Sequence, residues 1–243
     1  MRLYLLHLGV MQPYSGTVLR PRSLRAYLFQ TNDGENILID TGLPDVFYTD
    51  PVGEFDRQPF PVDPVDFSEK TSLPGQLATI GLSPDDIDLV VLSHSDLDHL
   101  GGIDHLPRRT PVHLSRLERE LEVPAPSNKG WWTEWPDRDY VLLEQEDQEF
   151  RPGLTLLSTP GHTPGHFSFL VDLPNTGKIL LACDALKMVG EAPGGDNTGQ
   201  DLDEATTSVL RLRALEQEHR APLILGHDGP QWKLLRHAPE YYD

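Results

Sequence analysis

Short apolar runs broken by glycine, proline and acidic residues recur along the chain, and most of them read as strands. Leu3 to Leu8 predicts the first, followed by a Gly- and Pro-punctuated loop from Met11 to Arg22. Ser23 to Gln30 alternates well enough for a second strand. Asn32-Asp33-Gly34 is a hairpin signal, and Asn36 to Asp40 is the return. The run Leu89-Val90-Val91-Leu92 has the pattern of a strand buried on both faces. Further strands are predicted over 111–114, 140–143, 154–158, 167–172, 178–183 and 222–225. Helices are expected over 73–82, over 115–122 with Ser115 as its cap, and over 201–219, with a helical turn at 102–106. The longest of these puts Leu202, Ala205, Val209, Leu212 and Leu215 on one face.

Between Leu43 and Pro74 the chain is rich in proline and aspartate, with Phe47, Tyr48, Phe55, Phe60 and Phe67 irregularly spaced. A loop that long inside a compact unit is usually functional or disordered. The recurring aromatics favour a packed lid. No repeat and no linker marks a boundary, so residues 1–243 are expected to form a single α/β domain, two sheets with helices outside.

Composition narrows the function. With 243 residues and 38% hydrophobic content there is ample material for a core. A formal charge of −18 repels nucleic-acid phosphates and anionic lipid. The single cysteine, Cys183, excludes an internal disulfide and fits a reducing compartment. No run approaches the roughly 20 apolar residues of a membrane span, and the N-terminal apolar run is too short for a signal peptide. These features predict a cytoplasmic protein with no nucleic-acid or membrane partner, and the expectation beside them is a small-molecule substrate and a monomer or homodimer.

The candidate chemistry sits at strand ends. His94, Asp96, Asp98 and His99 follow the 89–92 strand within six positions, and Gly101-Gly102 closes the segment. His162 follows the 154–158 strand within Pro160-Gly161-His162-Thr163-Pro164-Gly165-His166. Asp184 follows the 178–183 strand, and His227 follows the last one. Chemistry-bearing residues at carboxyl ends of strands mark the site of an open α/β sheet. Imidazole together with carboxylate suits zinc, iron or manganese. Four such strand ends imply one convergent metal site.

The order His94-x-Asp96-x-Asp98-His99, then His162, Asp184 and His227, resembles the metallo-β-lactamase superfamily of metallohydrolases. That resemblance includes the early Ile39-Asp40-Thr41-Gly42, and within it the stretch Thr159 to His166 and the ending Gly226-His227-Asp228…Pro239-Glu240-Tyr241-Tyr242 resemble the N-acyl-homoserine lactonase branch most. The resemblance implies an αββα sandwich of two mixed β-sheets flanked by helices, with two divalent metal ions, zinc foremost and manganese or iron as alternatives. It implies that His94, Asp96 and His162 hold the first ion and Asp98, His99 and His227 the second. Asp184 then bridges the two, together with a hydroxide that opens a lactone, as in quorum quenching, or cleaves a related ester. Two positions depart from the family pattern. Asp96 stands where the family has histidine, and Lys187 stands where the lactonases carry a substrate-binding tyrosine.

Asp98 is placed to carry a proton to the leaving alkoxide, and Lys187 to stabilise an oxyanion as a cation. Asp40 either orients a ligand histidine or simply ends a strand. His7, His105, His113, His219 and His237 lack convergent partners and read as ordinary packed or surface histidines. His166 reads as structural, and Cys183 as a packing residue. Trp131, Trp132 and Trp135 fit a pocket wall, a dimer interface or a core equally well. Two other functions fit the same residues: a phosphodiesterase or nuclease, because H-x-D-x-D-H also resembles the metallo-β-lactamase domain of DNA-uptake proteins, and a catalytically weak effector-binding protein.

Overall fold

The structure, a computed structural model, describes residues 1–13, 20–57, 62–124, 131–190 and 202–243. In chain order the strands are β1 (Arg2–Pro13), β2 (Arg22–Gln30), β3 (Asn36–Ile39), β4 (Val62–Pro64), β5 (Leu89–Val91), β6 (Val112–Ser115), β7 (Tyr140–Leu143), β8 (Gln148–Arg151), β9 (Leu154–Ser158), β10 (Phe167–Leu173), β11 (Gly177–Leu181) and β12 (Leu223–Ile224). The helices are α1 (Val46–Thr49), α2 (Pro51–Asp56), α3 (Leu73–Thr79), α4 (Leu97–Leu100), α5 (Arg116–Arg119), α6 (Leu202–His219) and α7 (Gly229–Trp232).

Seven strands form one sheet in the order β4-β1-β2-β3-β5-β6-β7, and five form the other as β12-β11-β10-β9-β8. Both are mixed: β3, β5, β6 and β7 run parallel, as do β11 and β12, and the remaining pairs are antiparallel. Alternation along the strands sorts the apolar side chains into three layers. Leu3, Leu5, Phe29, Ile37, Ile39 and Val91 meet Phe167, Phe169, Val171 and Ile179 between the sheets. Leu6, Leu8, Leu28, Leu38 and Val90 face the helices outside the larger sheet. Leu170, Leu180 and Leu223 pack against Val209 and Leu212 of α6. Helix, sheet, sheet, helix is the predicted αββα order.

Several local expectations are corrected. The first strand runs on through the expected loop to Pro13, because Gly9 (φ 118°) supports an irregularity between His7 and Val10 and β4 pairs with the extension. The 43–74 stretch, expected as a packed lid, does pack, but as secondary structure. It folds into α1, α2 and β4, with Phe47, Tyr48 and Phe55 buried in the outer core and Phe67 against them; Phe60 lies outside the described residues. Of the predicted apolar face of α6, Ala205, Val209 and Leu212 are buried, but Leu202 at the helix start is 55% exposed. Strand β8 and helix α7 were not expected, since Gln148–Arg151 is polar and α7 is a single turn.

Candidate metal centre

Parallel pairing brings the carboxyl ends of β3 and β5 together at one edge of the larger sheet. In the smaller sheet β9 and β11 flank β10 antiparallel to it, so their carboxyl ends also share an edge, joined by that of β12. The segments leaving these ends carry the predicted residues. All seven converge: His94, Asp96, His99, His162, Asp184 and His227 are buried, and the Asp98 side chain is 19% exposed.

His94, Asp96 and His162 form one half. Asp96 Oδ2 lies 3.3 Å from His162 Nε2 and 3.7 Å from His94 Nε2, and the two imidazole Nε2 atoms are 3.2 Å apart. Asp96 occupies the N-cap of α4, where an aspartate ordinarily accepts a hydrogen bond from the helix's first turn. It makes no such cap bond; its carboxylate faces the imidazoles instead. Asp98, His99 and His227 form the other half, with Asp98 Oδ2 at 3.7 Å from His99 Nε2 and 3.5 Å from His227 Nε2. Asp184 lies between the halves, with Oδ2 3.4 Å from His162 Nε2 and Oδ1 3.4 Å from His99 Nε2 and 3.1 Å from His227 Nε2. This approach requires Gly226, because a Cβ there would fall 2.2 Å from the Cys183 carbonyl oxygen and 2.9 Å from Asp184 Oδ1.

A surrounding layer fixes the rings. Asp40 Oδ2 pairs with His99 Nδ1 at 2.8 Å, and Oδ1 accepts from the Ser93 N–H at 2.7 Å. Asp40 thus orients His99 as well as ending its strand, and it does so from a left-handed backbone (φ 61°). Ser93 Oγ lies 3.0 Å from His94 Nδ1, and the Ser23 carbonyl 3.1 Å from His227 Nδ1. His166 accepts from the Asp184 N–H at 3.1 Å through Nε2, and its Nδ1 lies 2.9 Å from Thr159 Oγ1. It braces the Asp184 turn, as the structural reading expected. Lys187 is buried (8% exposed) rather than solvated. Cys183 lies in the inter-sheet core, and burial pushes its thiol pKa well up.

The charge pattern follows from burial and proximity. Burial opposes protonation of His99, but Asp40, Asp98 and Asp184 outweigh it and raise its pKa well above the ordinary range. Burial also opposes protonation of His162, and the Lys187 charge adds to that, yet Asp96 and Asp184 prevail and raise it. Burial would lift the Asp184 carboxyl; His227 and His99 instead hold it well below the usual carboxylate range. Asp96 is held down in the same way, against its burial, by His162 and His94. His166 goes the opposite way. Burial and the neighbouring imidazoles drop its pKa well below normal, so it stays neutral.

Cations of higher charge fit this donor set better than protons do. Two buried polar atoms at the centre, His99 Nε2 and Asp184 Oδ1, lie in charge contact at 3.4 Å, yet neither has a partner in hydrogen-bond geometry. Such atoms are costly unless something else satisfies them. The groups His94–Asp96–His162, Asp98–His99–His227 and His94–His99–Asp184 each offer donor atoms within 4.8 Å of one another. The arrangement binds divalent metal.

Sequence reasoning overlooked Glu118, a fully buried carboxylate behind the His94 half. The tryptophans lie elsewhere. Trp131 packs on Phe47 at 5.3 Å, and all three line a cavity of about 600 Å³ with Arg108, Arg119 and Arg138. They are core and cavity wall together. Among the other histidines, His7 accepts from the Trp232 indole N–H at 2.8 Å and His237 stacks on the same ring, so both are packed residues.

Known proteins share this organisation. The chain is 32% identical over 225 residues to an N-acyl homoserine lactonase of Bacillus thuringiensis, covering 88% of this chain and 85% of the relative. Identity to the N-acyl homoserine lactonase AttM of Agrobacterium fabrum is 31% over 184 residues, covering 69% of this chain and 68% of the relative. A solved N-acyl homoserine lactone hydrolase, with the product N-hexanoyl-L-homoserine at its catalytic metal center, superposes with a TM-score of 0.83 at 27% identity. That match covers 99% of this chain and 98% of the other. The family model described as "Metallo-beta-lactamase superfamily" matches residues 19–227, and with the αββα layers and strand-end cluster it establishes that the chain belongs to that superfamily.

Proposed function

We propose that this metal-dependent hydrolase opens the lactone ring of N-acyl homoserine lactones, using two metal ions. His94, Asp96 and His162 would hold one ion and Asp98, His99 and His227 the other, with Asp184 spanning both. The observation that carries the reading is the buried pair His99 Nε2 and Asp184 Oδ1, which lack hydrogen bonds within a seven-residue donor set. The similar lactonases supply the substrate class. Each half offers two imidazoles and a carboxylate, a set that accepts zinc, manganese or iron.

Two divalent ions, when bound, polarise a carbonyl and bring the ionisation of water into the neutral range. The protein's own groups do the rest. Asp98, the least buried carboxylate of the site, accepts the proton of the attacking water on its carboxylate and returns it to the ring oxygen as the ester bond opens. Lys187 presents a buried cation near His162, where it attracts negative charge developing on the carbonyl oxygen. Asp40 and the Ser23 carbonyl keep His99 and His227 facing inward throughout.

Purification without chelator, followed by elemental analysis and a panel of acyl homoserine lactones, aryl esters and bis-p-nitrophenyl phosphate, tests the proposal. Close to two equivalents of transition metal and preferential turnover of the lactones are expected. A metal content of zero with chelator-insensitive activity ends the metallohydrolase reading; preference for the phosphodiester ends the lactone reading.

A further inference from the structure

Glu118 is an unusual residue to bury completely. It lies on α5, just after β6, with 0% of its surface exposed and no ion pair to a cation among the described residues. Four hydrogen bonds converge on it instead. Its Oε1 accepts from the Ser95 backbone N–H at 2.9 Å and from Ser95 Oγ at 2.6 Å. Its Oε2 accepts from Thr163 Oγ1 at 2.7 Å and from the Gly165 N–H at 3.3 Å. The fit is tight: a Cβ on Gly165 would fall 2.5 Å from the Glu118 backbone nitrogen.

The partners show what the carboxylate does. Ser95 sits between His94 and Asp96, and Thr163 directly follows His162. One side chain therefore clamps the two chain segments that carry the whole His94 half. No hydrogen bond links it to Asp98, His99 or His227, and the two imidazoles of that half are held instead by Asp40 and the Ser23 carbonyl. Two of the four partners are backbone N–H groups, which can only donate, and they approach different oxygens. Only a group that accepts on both sides satisfies them. A glutamine would turn an NH2 toward one N–H, and a buried donor would lose its acceptor.

We propose that Glu118 is a positioning residue. It fixes the spacing between the His94–Asp96 segment and His162, and so sets the metal affinity of that half of the site alone. This rests on the two-metal reading above. Outer-layer contacts of this kind typically change metal affinity by about 10–100-fold, and Glu118, acting through the backbone, belongs near the lower figure.

The test uses Glu118→Gln and Thr163→Val in the full chain, the second removing a single donor at nearly constant volume. Each zinc-loaded variant is titrated with chelator and crystallised, and anomalous scattering gives the occupancy of each metal position. In both variants, the ion between His94, Asp96 and His162 is expected to leave at about tenfold lower chelator concentration, with the other position still filled. Unchanged affinity at the His94 half overturns the proposal, and so does equal weakening of both halves, which a general structural role would produce. If Glu118→Gln fails to fold, Thr163→Val decides alone. A wild-type protein that binds no metal defeats the two-metal reading instead, a result visible before any variant is made.

Discussion

The two halves of the site offer the same donors from different supports. His94, Asp96 and His162 come from two loops, the second of them in the smaller sheet, and a buried glutamate ties those loops together. Asp98, His99 and His227 come from one helical turn and one strand end, with Asp40 and a backbone carbonyl holding the imidazoles from behind. Where the resemblance implies three histidines in the first half, Asp96 makes both halves two imidazoles and a carboxylate. Any functional asymmetry must then come from how each half is braced and from what lies beside it. Lys187 connects them: its carbonyl accepts from the His227 N–H at 2.8 Å, while its side-chain charge acts on His162.

The severest way to break the comparison is to remove what both halves share. Asp184→Asn takes one negative charge from between four imidazoles and replaces an acceptor oxygen with a donor. Metal content should fall toward zero in both positions, and turnover should fall beyond the roughly 100-fold ceiling typical of outer-layer substitutions. Retention of either ion at full occupancy would show that the halves do not depend on a common aspartate.

Lys187→Met asks whether the cation serves chemistry or structure. Its alkyl body fills similar volume, so metal content should stay at the wild-type level. Loss of oxyanion stabilisation should lower kcat on the order of 100-fold with a smaller change in KM. A change confined to KM would make Lys187 a substrate-binding group.

Asp40→Ala sharpens the comparison from the other side, as the counterpart of the Glu118 variants. Without the 2.8 Å contact to Nδ1, His99 loses the partner that fixes its ring and tautomer. Metal affinity should drop about 10–100-fold in the His227 half, measured by chelator competition, while the His94 half holds. Asp40 also accepts from Ser93, whose hydroxyl touches His94. A loss shared by both halves would show that this link carries the effect across.

Which of these features the sequence reveals follows from how local their cause is. Strand ends loaded with histidine and aspartate are visible because each signal occupies a few consecutive residues, and the seven residues that converge were legible that way. Asp40 was half legible: its place at a strand end is in the sequence, but its contact with His99 spans 59 positions. Glu118 was hidden among the charges of Ser115-Arg116-Leu117-Glu118-Arg119-Glu120, where nothing distinguishes the buried glutamate from its solvated neighbours. Strand β8 was missed for a related reason. Gln148–Arg151 is polar, and its pairing with β9 is a tertiary fact. The 43–74 stretch hid its secondary structure because its aromatics follow no single period: Phe47 and Tyr48 lie on α1, Phe55 on α2 and Phe67 in a connecting segment.

Asp96→His gives the smallest and most selective effect, because it changes the donors of one half without touching its bracing. The natural carboxylate adds a negative charge that an imidazole lacks, and its oxygen is a harder donor than a ring nitrogen. Oxygen ligation favours manganese and iron relative to zinc, and extra negative charge around a metal makes it a weaker Lewis acid. Histidine at this position should therefore raise activity with zinc until it at least equals activity with manganese. The acidic limb of the pH–rate profile should move to lower pH, by less than about one unit if Asp96 contributes one charge among several. Both changes are expected because Asp96 forgoes the cap bond available to it on α4 and turns its Oδ2 to His162 at 3.3 Å. An unchanged metal ranking together with an unchanged profile would mean that His94, His162 and Asp184 hold the first ion without it. The carboxylate would then serve the imidazoles as a hydrogen-bond partner, and the two halves would differ in their ligands after all.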